Sequence, residues 1–283
     1  MNKKQNDSIL KDTLEIAHQA YCKIDNADII RLKCSREQMA KALFLAPETV
    51  YDMLAKQSEM VMLENPCRIY VAEKDSLEAA HDMLNGASGE SNVCVLNFAN
   101  PVTPGGGVRR GARAQEETLC LRSSLLASLE SSEAVAYYEY NKKCSFRGSD
   151  AVILSPYVSV FKDCNYNLLQ RDFVVSVLTC AAPLVSPYSH CLEDVTGEQM
   201  EGILYLRILG ILSVAKYYRY QRLVLGAWGC GAFGNDAKVI SRLFKEALKE
   251  VNADAHFEEV CFAILANYDS YNLNCFRECF EEK

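Results

Sequence analysis

The stretch NFANPVTPGGGVRRGARAQEETLCLRSS, residues 97–124, sets three consecutive glycines, Gly105, Gly106 and Gly107, shortly before the adjacent acids Glu116 and Glu117. An apolar, partly β-branched run, NVCVLNF (92–98), leads into it, and helical spacing follows over 116–130. A strand feeding a glycine-rich turn and then a helix is a building unit of layered α/β folds. The same alternation continues along the chain. CRIYV (67–71), AVILS (151–155), DFVVSVLT (172–179), RLVLGAW (222–228) and EVCFAIL (259–265) read as further strands, and 75–85, 197–219 and 236–250 as helices. These runs predict an α/β fold with helices flanking a largely parallel sheet.

Residues 1–66 carry no convincing strand. EQMAKALFLA and PETVYDMLAKQSEMVML space their apolar positions three and four apart, and Pro47 with Glu48 marks a helix start. We expect a helical N-terminal extension, closed by Asn65-Pro66, ahead of an α/β domain over 67–283.

The chain has 283 residues, 49% hydrophobic and 24% charged, which suits an ordinary globular protein rather than a low-complexity one. MNKKQNDSILK is polar where a signal peptide needs an apolar core, and no run approaches the roughly 18 apolar residues of a membrane span, so a cytoplasmic protein is expected. Thirteen cysteines, an odd number, are scattered through apolar runs, as Cys94, Cys180 and Cys261 are, which reads as reduced and buried. Only Cys275 and Cys279 lie close in sequence, with no histidine beside them, so no metal is indicated. The net charge of −7 shows no footprint for duplex nucleic acid.

Ligands of parallel sheets sit beyond the carboxyl ends of the strands, and two glycine-rich stretches fall there. The second, GAWGCGAFGND (226–236), precedes a helix start capped by Asn235 or Asp236. Bare backbone amides and a helix N-terminus together suit a phosphate or diphosphate; the alternative is a tight turn whose glycines serve geometry alone. Neither loop ends in GK[ST], so a P-loop nucleotidase is disfavoured. Acids in the first turn of a helix are explained by the macrodipole alone. Helical neighbours nevertheless point about 100° apart, so Glu116 and Glu117 would hold different roles, and a nearby phosphate would raise a carboxyl pKa toward that of a general acid. A diphosphate cradle beside such an acid points to cleavage at a nucleotide sugar.

The run GGG, VRRGARA, QEE resembles the signature of poly(ADP-ribose) glycohydrolases, the catalytic branch of the macrodomain superfamily. LNFAN before PGGG, GARAQEETLCLRSSL, SPYVSVFKD, VLTCAAP and LVLGAWGCGAFGND resemble the compact bacterial type, in that family's order, over about residues 66–280. The resemblance implies a three-layer macrodomain-like fold with a mixed, largely parallel central sheet. It implies that Glu117 donates a proton to the leaving ribosyl oxygen and then assists water, while Glu116 holds the ribose hydroxyls. Gln115 would support that loop, and Asn100 would support the acids or simply make the Asn-Pro turn. Gly105, Gly106 and Gly107 would admit the ribose and diphosphate; Gly229, Cys230, Gly231, Ala232 and Phe233 would wrap the diphosphate, with Phe233 against the adjacent ribose. Tyr268 would stack on adenine or pack on the C-terminal helix.

Arg109, Arg110 and Arg113 read as solvated charges or as contacts to a longer polymer, and His190 has no assigned role. Ala232, Lys162 and the NY after the last strand depart from the usual pattern. The implied partners are poly(ADP-ribose) or ADP-ribosylated proteins, with ADP-ribose as product and no cofactor. A mono-ADP-ribosyl hydrolase and a non-catalytic ADP-ribose reader are the alternatives.

Overall fold

The structure is a computed structural model, describing residues 3–24, 28–56, 65–86, 92–144, 148–185, 197–266 and 270–281. In chain order its elements are α1 (Lys3–Gln19), β1 (Tyr21–Ile24), β2 (Asp28–Arg31), α2 (Arg36–Met39), β3 (Leu43–Leu45), α3 (Pro47–Ala55), β4 (Arg68–Ala72), α4 (Ser76–Asn85) and β5 (Val93–Phe98). There follow α5 (Gln115–Arg122), α6 (Leu125–Leu129), α7 (Ser132–Lys142), β6 (Val152–Lys162), β7 (Leu168–Cys180), α8 (Gly197–Tyr217), β8 (Arg222–Leu225), α9 (Ala237–Glu250), β9 (Glu259–Ala263) and α10 (Tyr271–Phe280).

A seven-stranded sheet runs in the order β3-β6-β7-β5-β8-β9-β4. Neighbours from β7 to β4 pair in parallel, whereas β6 is antiparallel to both β7 and β3. Side chains alternate across a strand, so each strand serves two cores. Val93 and Val95 face the apolar layer built with α4, α5, α6 and α7, while Cys94 and Leu96 face the layer built with α3, α8, α9 and α10. The expected α/β architecture and its six strands are present.

Two expectations need correction. Residues 1–66 are not purely helical: β1 and β2 form a hairpin, and β3 joins the main sheet through Leu43↔Leu154 and Leu45↔Val152. The sequence EQMAKALFLA has helical spacing, yet Ser35 caps a helix only as far as Met39, and LFL then finds its partner far along the chain in β6. Tertiary pairing overrides local propensity there. The helix expected over 116–130 is also interrupted. Ser123 turns extended and bridges Val160, and Ser124 donates its N–H to the Ser159 carbonyl at 2.9 Å, so α5 and α6 are separate.

No described helix is long and apolar enough to cross a membrane.

Candidate active site

The acid pair is held by the first turn of α5 and by the loop before it. Ala114, the residue preceding that helix, has no side-chain oxygen to cap it. Glu117 instead reaches back to the chain before the helix. Its Oε2 accepts the Ala114 N–H at 2.8 Å, and its Oε1 accepts the Gly107 N–H at 2.7 Å. Glu116 turns inward, where Oε2 accepts the Asn100 N–H at 2.8 Å and Oε1 accepts from Asn97 Nδ2 at 3.3 Å. Both acids are buried, at 3% and 6% exposure. Burial pushes the Glu116 carboxyl up to about 8, reinforced by the charge of Glu117 and opposed by the Asn100 and Asn97 donors.

Gln115 fixes the helix start to the end of β5. Its Oε1 accepts the Phe98 N–H at 2.9 Å and its Nε2 donates to the Leu96 carbonyl at 2.7 Å. Asn100 meets the acid through its backbone and makes the turn with its side chain. Its backbone supports Glu116, and its Oδ1 accepts the Val102 and Thr103 N–H groups to make the turn. Gly106 answers to the acids directly. Gly105 and Gly106 take φ of +64° and +59°, and a Cβ on Gly106 would sit 2.5 Å from Glu117 Oε1.

The second loop is tied from below. Trp228, fully buried, donates Nε1–H to the Cys180 carbonyl at 2.9 Å. Asn235 donates Nδ2–H to the carbonyls of Pro183 and Gly229 at 2.9 and 3.1 Å. Asp236 is the residue that caps α9, accepting the Lys238 N–H at 3.0 Å.

Between these loops lies a cleft of about 330 Å³. Its wall includes Ala182, Ala99, Ala227 and Ile264, each just past the carboxyl end of a parallel strand, which is where such sheets bind ligands. Gln115, Gly229, Gly231, Ala232 and Phe233 line it, as does Arg113. The acid pair, Asn100, the triglycine run and Cys230 do not. Arg109 forms a bidentate pair with Glu130 at 2.7 and 2.9 Å, away from the cleft. Lys162 also lies elsewhere, its ammonium buried against Asp12 and Thr13. Tyr268 and His190 fall outside the described residues. Among the described residues no cluster of three His, Cys, Asp or Glu could hold a metal ion.

Asn97 was not anticipated. It is fully buried and links Glu116 to Thr179 Oγ1, which it reaches at 3.2 Å. Its signal was available as the one polar residue in the run VCVLNF, since a buried amide needs hydrogen-bond partners.

A mixed sheet whose carboxyl edge carries two glycine loops and a buried acid pair defines a macrodomain-like hydrolase. The family model for the microbial-type PARG catalytic domain matches residues 11–163. The poly(ADP-ribose) glycohydrolase of Thermomonospora curvata is similar over 98% of this chain and all of its own, at 28% identity and a TM-score of 0.85. The Deinococcus radiodurans enzyme in complex with ADP-ribose is 32% identical, with a TM-score of 0.78 over 89% of this chain and 98% of its own. The Thermomonospora curvata enzyme bound to the inhibitor ADP-HPD matches at 28% identity and a TM-score of 0.83, over 97% of this chain and 99% of its own. No curated protein sequence matches. The chain belongs to the microbial-type poly(ADP-ribose) glycohydrolases, which are glycoside hydrolases.

Proposed function

We propose that this chain hydrolyses the ribose–ribose O-glycosidic bonds of poly(ADP-ribose) and releases ADP-ribose, with Glu117 as general acid and then general base. The observation that carries this reading is the buried acid pair packed against the triglycine backbone, on the helix whose Gln115, Thr118 and Leu119 line a cleft walled by a second glycine loop. A module that only bound ADP-ribose would have no need of two buried carboxylates there, since burying them is costly.

In this reading the diphosphate lies along Gly229–Phe233, whose backbone amides and following helix N-terminus favour negative charge. The ribose at the scissile bond lies against the triglycine loop, where the missing side chain of Gly106 lets the backbone close on both acids. Glu117 protonates the leaving oxygen as positive charge develops on the ribosyl carbon, then takes a proton from the attacking water. Glu116, largely protonated at neutral pH, has a proton to share with a ribose hydroxyl and so fixes the sugar. This differs from the scheme of two carboxylates flanking the bond from opposite faces. Tyr268 remains the proposed stacking partner for adenine. Residues 67–283 carry the reacting groups, and residues 1–66 support them.

The test is release of ADP-ribose from purified polymer by the intact protein and by Glu117→Gln, with ADP-ribose affinity measured on both. The variant is expected to bind as the intact protein does and to turn over slower by about 10²- to 10⁴-fold, the usual contribution of a positioned acid/base. If the intact protein binds ADP-ribose but cuts neither polymer nor a mono-ADP-ribosylated protein, the chain is a reader and the assignment of Glu117 fails.

A further inference from the structure

Helix α1 is joined to both ends of the segment that carries the acids. Near its start, Asn6, 1% exposed, donates Nδ2–H to the Val108 carbonyl at 2.9 Å. Val108 directly follows Gly107, whose N–H holds Glu117 Oε1. Two turns further on, Thr13 donates its hydroxyl to the Leu121 carbonyl at 2.7 Å, near the far end of α5. Thr13 Oγ1 in turn accepts from Lys162 Nζ at 2.7 Å. That ammonium, 2% exposed, finds its other acceptors on α1 as well: the Ile9 carbonyl at 3.2 Å and Asp12 Oδ2 at 2.6 Å. The backbone of Lys162 accepts from Arg122 Nε at 3.2 Å, which closes the circuit on the last residue of α5.

The loop over 105–112 has few other long-range ties. Its backbone bonds from Val108, Arg110, Gly111 and Ala112 all return to Gly105, Gly107 or Val108. The Arg109–Glu130 pair is exposed on both sides and so contributes little. The Val108 side chain is buried, but an apolar contact does not fix direction as a hydrogen bond does.

We propose that α1 is a strut for the catalytic loop and helix, and that Asn6 is a positioning residue for Glu117, acting through the Val108 carbonyl and the Gly107 N–H. This rests on the assignment of Glu117 as the acid. A shift of the loop away from α1 moves the Gly107 donor, and with it the carboxylate that must meet the leaving oxygen. The diphosphate loop is held instead by Trp228 and Asn235, whose acceptors lie after β7 and within the loop itself. The strut therefore bears on turnover and leaves the grip on the diphosphate in place.

The experiment compares the full chain with Asn6→Leu, Thr13→Val and, as an outer-face control on the same helix, Glu15→Ala. Asn6→Leu is expected to lower kcat on poly(ADP-ribose) by about 10- to 100-fold, the scale of a small misplacement of reacting groups. KM and the Kd for ADP-ribose should stay within about twofold, as expected when an interaction felt only in the transition state is lost. Amide hydrogen exchange should quicken at Gly107 and Ala114 and stay unchanged in β5. Thr13→Val is expected to show the same pattern, and Glu15→Ala none of it. Asn6→Leu turning over at the intact rate, or losing kcat and affinity together with faster exchange throughout the sheet, overturns the proposal. Should the intact chain fail to cut polymer, the glycohydrolase reading falls, and the exchange pattern alone decides whether α1 holds the loop.

Discussion

Gly106 and Glu117 are packed so closely that a side chain cannot come between them: a Cβ built on Gly106 would lie 2.5 Å from Glu117 Oε1, and 2.8 Å from Glu116 Oε2. Bare backbone sits beside acid here because the two touch. Gly106 also adopts φ +59°, a conformation that costs an L-residue roughly 1–2 kcal/mol. Gly106→Ala is expected to lower stability by about that amount plus the cost of moving a carboxylate, and to lower kcat on the order of 100-fold by displacing both acids. Turnover and thermal unfolding of the variant check this. An alanine enzyme of intact activity would show that the acids relax freely, contrary to their backbone anchoring.

Glu116 gives a pH dependence of definite sign. Its carboxyl is raised from 4.5 to about 8, chiefly by burial, so between those values the folded chain holds a proton that the unfolded chain has released. Stability from this group is fully present below pH 4.5 and is lost as pH rises toward 8, with a slope of at most about 1.4 kcal/mol per pH unit. Glu116→Gln mimics the protonated side chain and is expected to flatten the slope. Unfolding followed from about pH 5 to 9 measures it. Equal slopes in both proteins would mean that Glu116 is ionised when buried.

The layered fold was legible because strands such as NVCVLNF and DFVVSVLT, buried on both faces, read as continuous apolar runs. The loops were legible because glycine clusters mark positive φ and close approach. LFL (43–45) was not, since three residues carry no period and its partner lies in β6. The inner shell was less legible still. Nothing local to Asn97 or Asn6 reveals that one reaches Glu116 and the other the Val108 carbonyl 102 positions away. Such contacts follow from tertiary packing. Lys162, a departure from the family pattern, likewise becomes intelligible only when α1 is seen to surround its ammonium.

Asn235 provides a test of the second loop that leaves the acids untouched. Its amide spans two carbonyls, Pro183 after β7 and Gly229 within the loop, and its own N–H donates to Gly229 at 3.0 Å. Gly229, at φ +76°, lies so near that a Cβ there would come 2.6 Å from Asn235 Nδ2. Replacing Asn235 with alanine leaves the buried Pro183 carbonyl without this donor, a loss of roughly 1–3 kcal/mol. It also frees the backbone proposed to wrap the diphosphate. The variant is expected to bind ADP-ribose more weakly by about tenfold, equal to about 1.4 kcal/mol, and to recover most of its turnover at saturating polymer. Calorimetric binding and steady-state kinetics separate the two effects. A variant with intact affinity and lowered kcat would shift the role of this loop from holding the substrate to the chemical step.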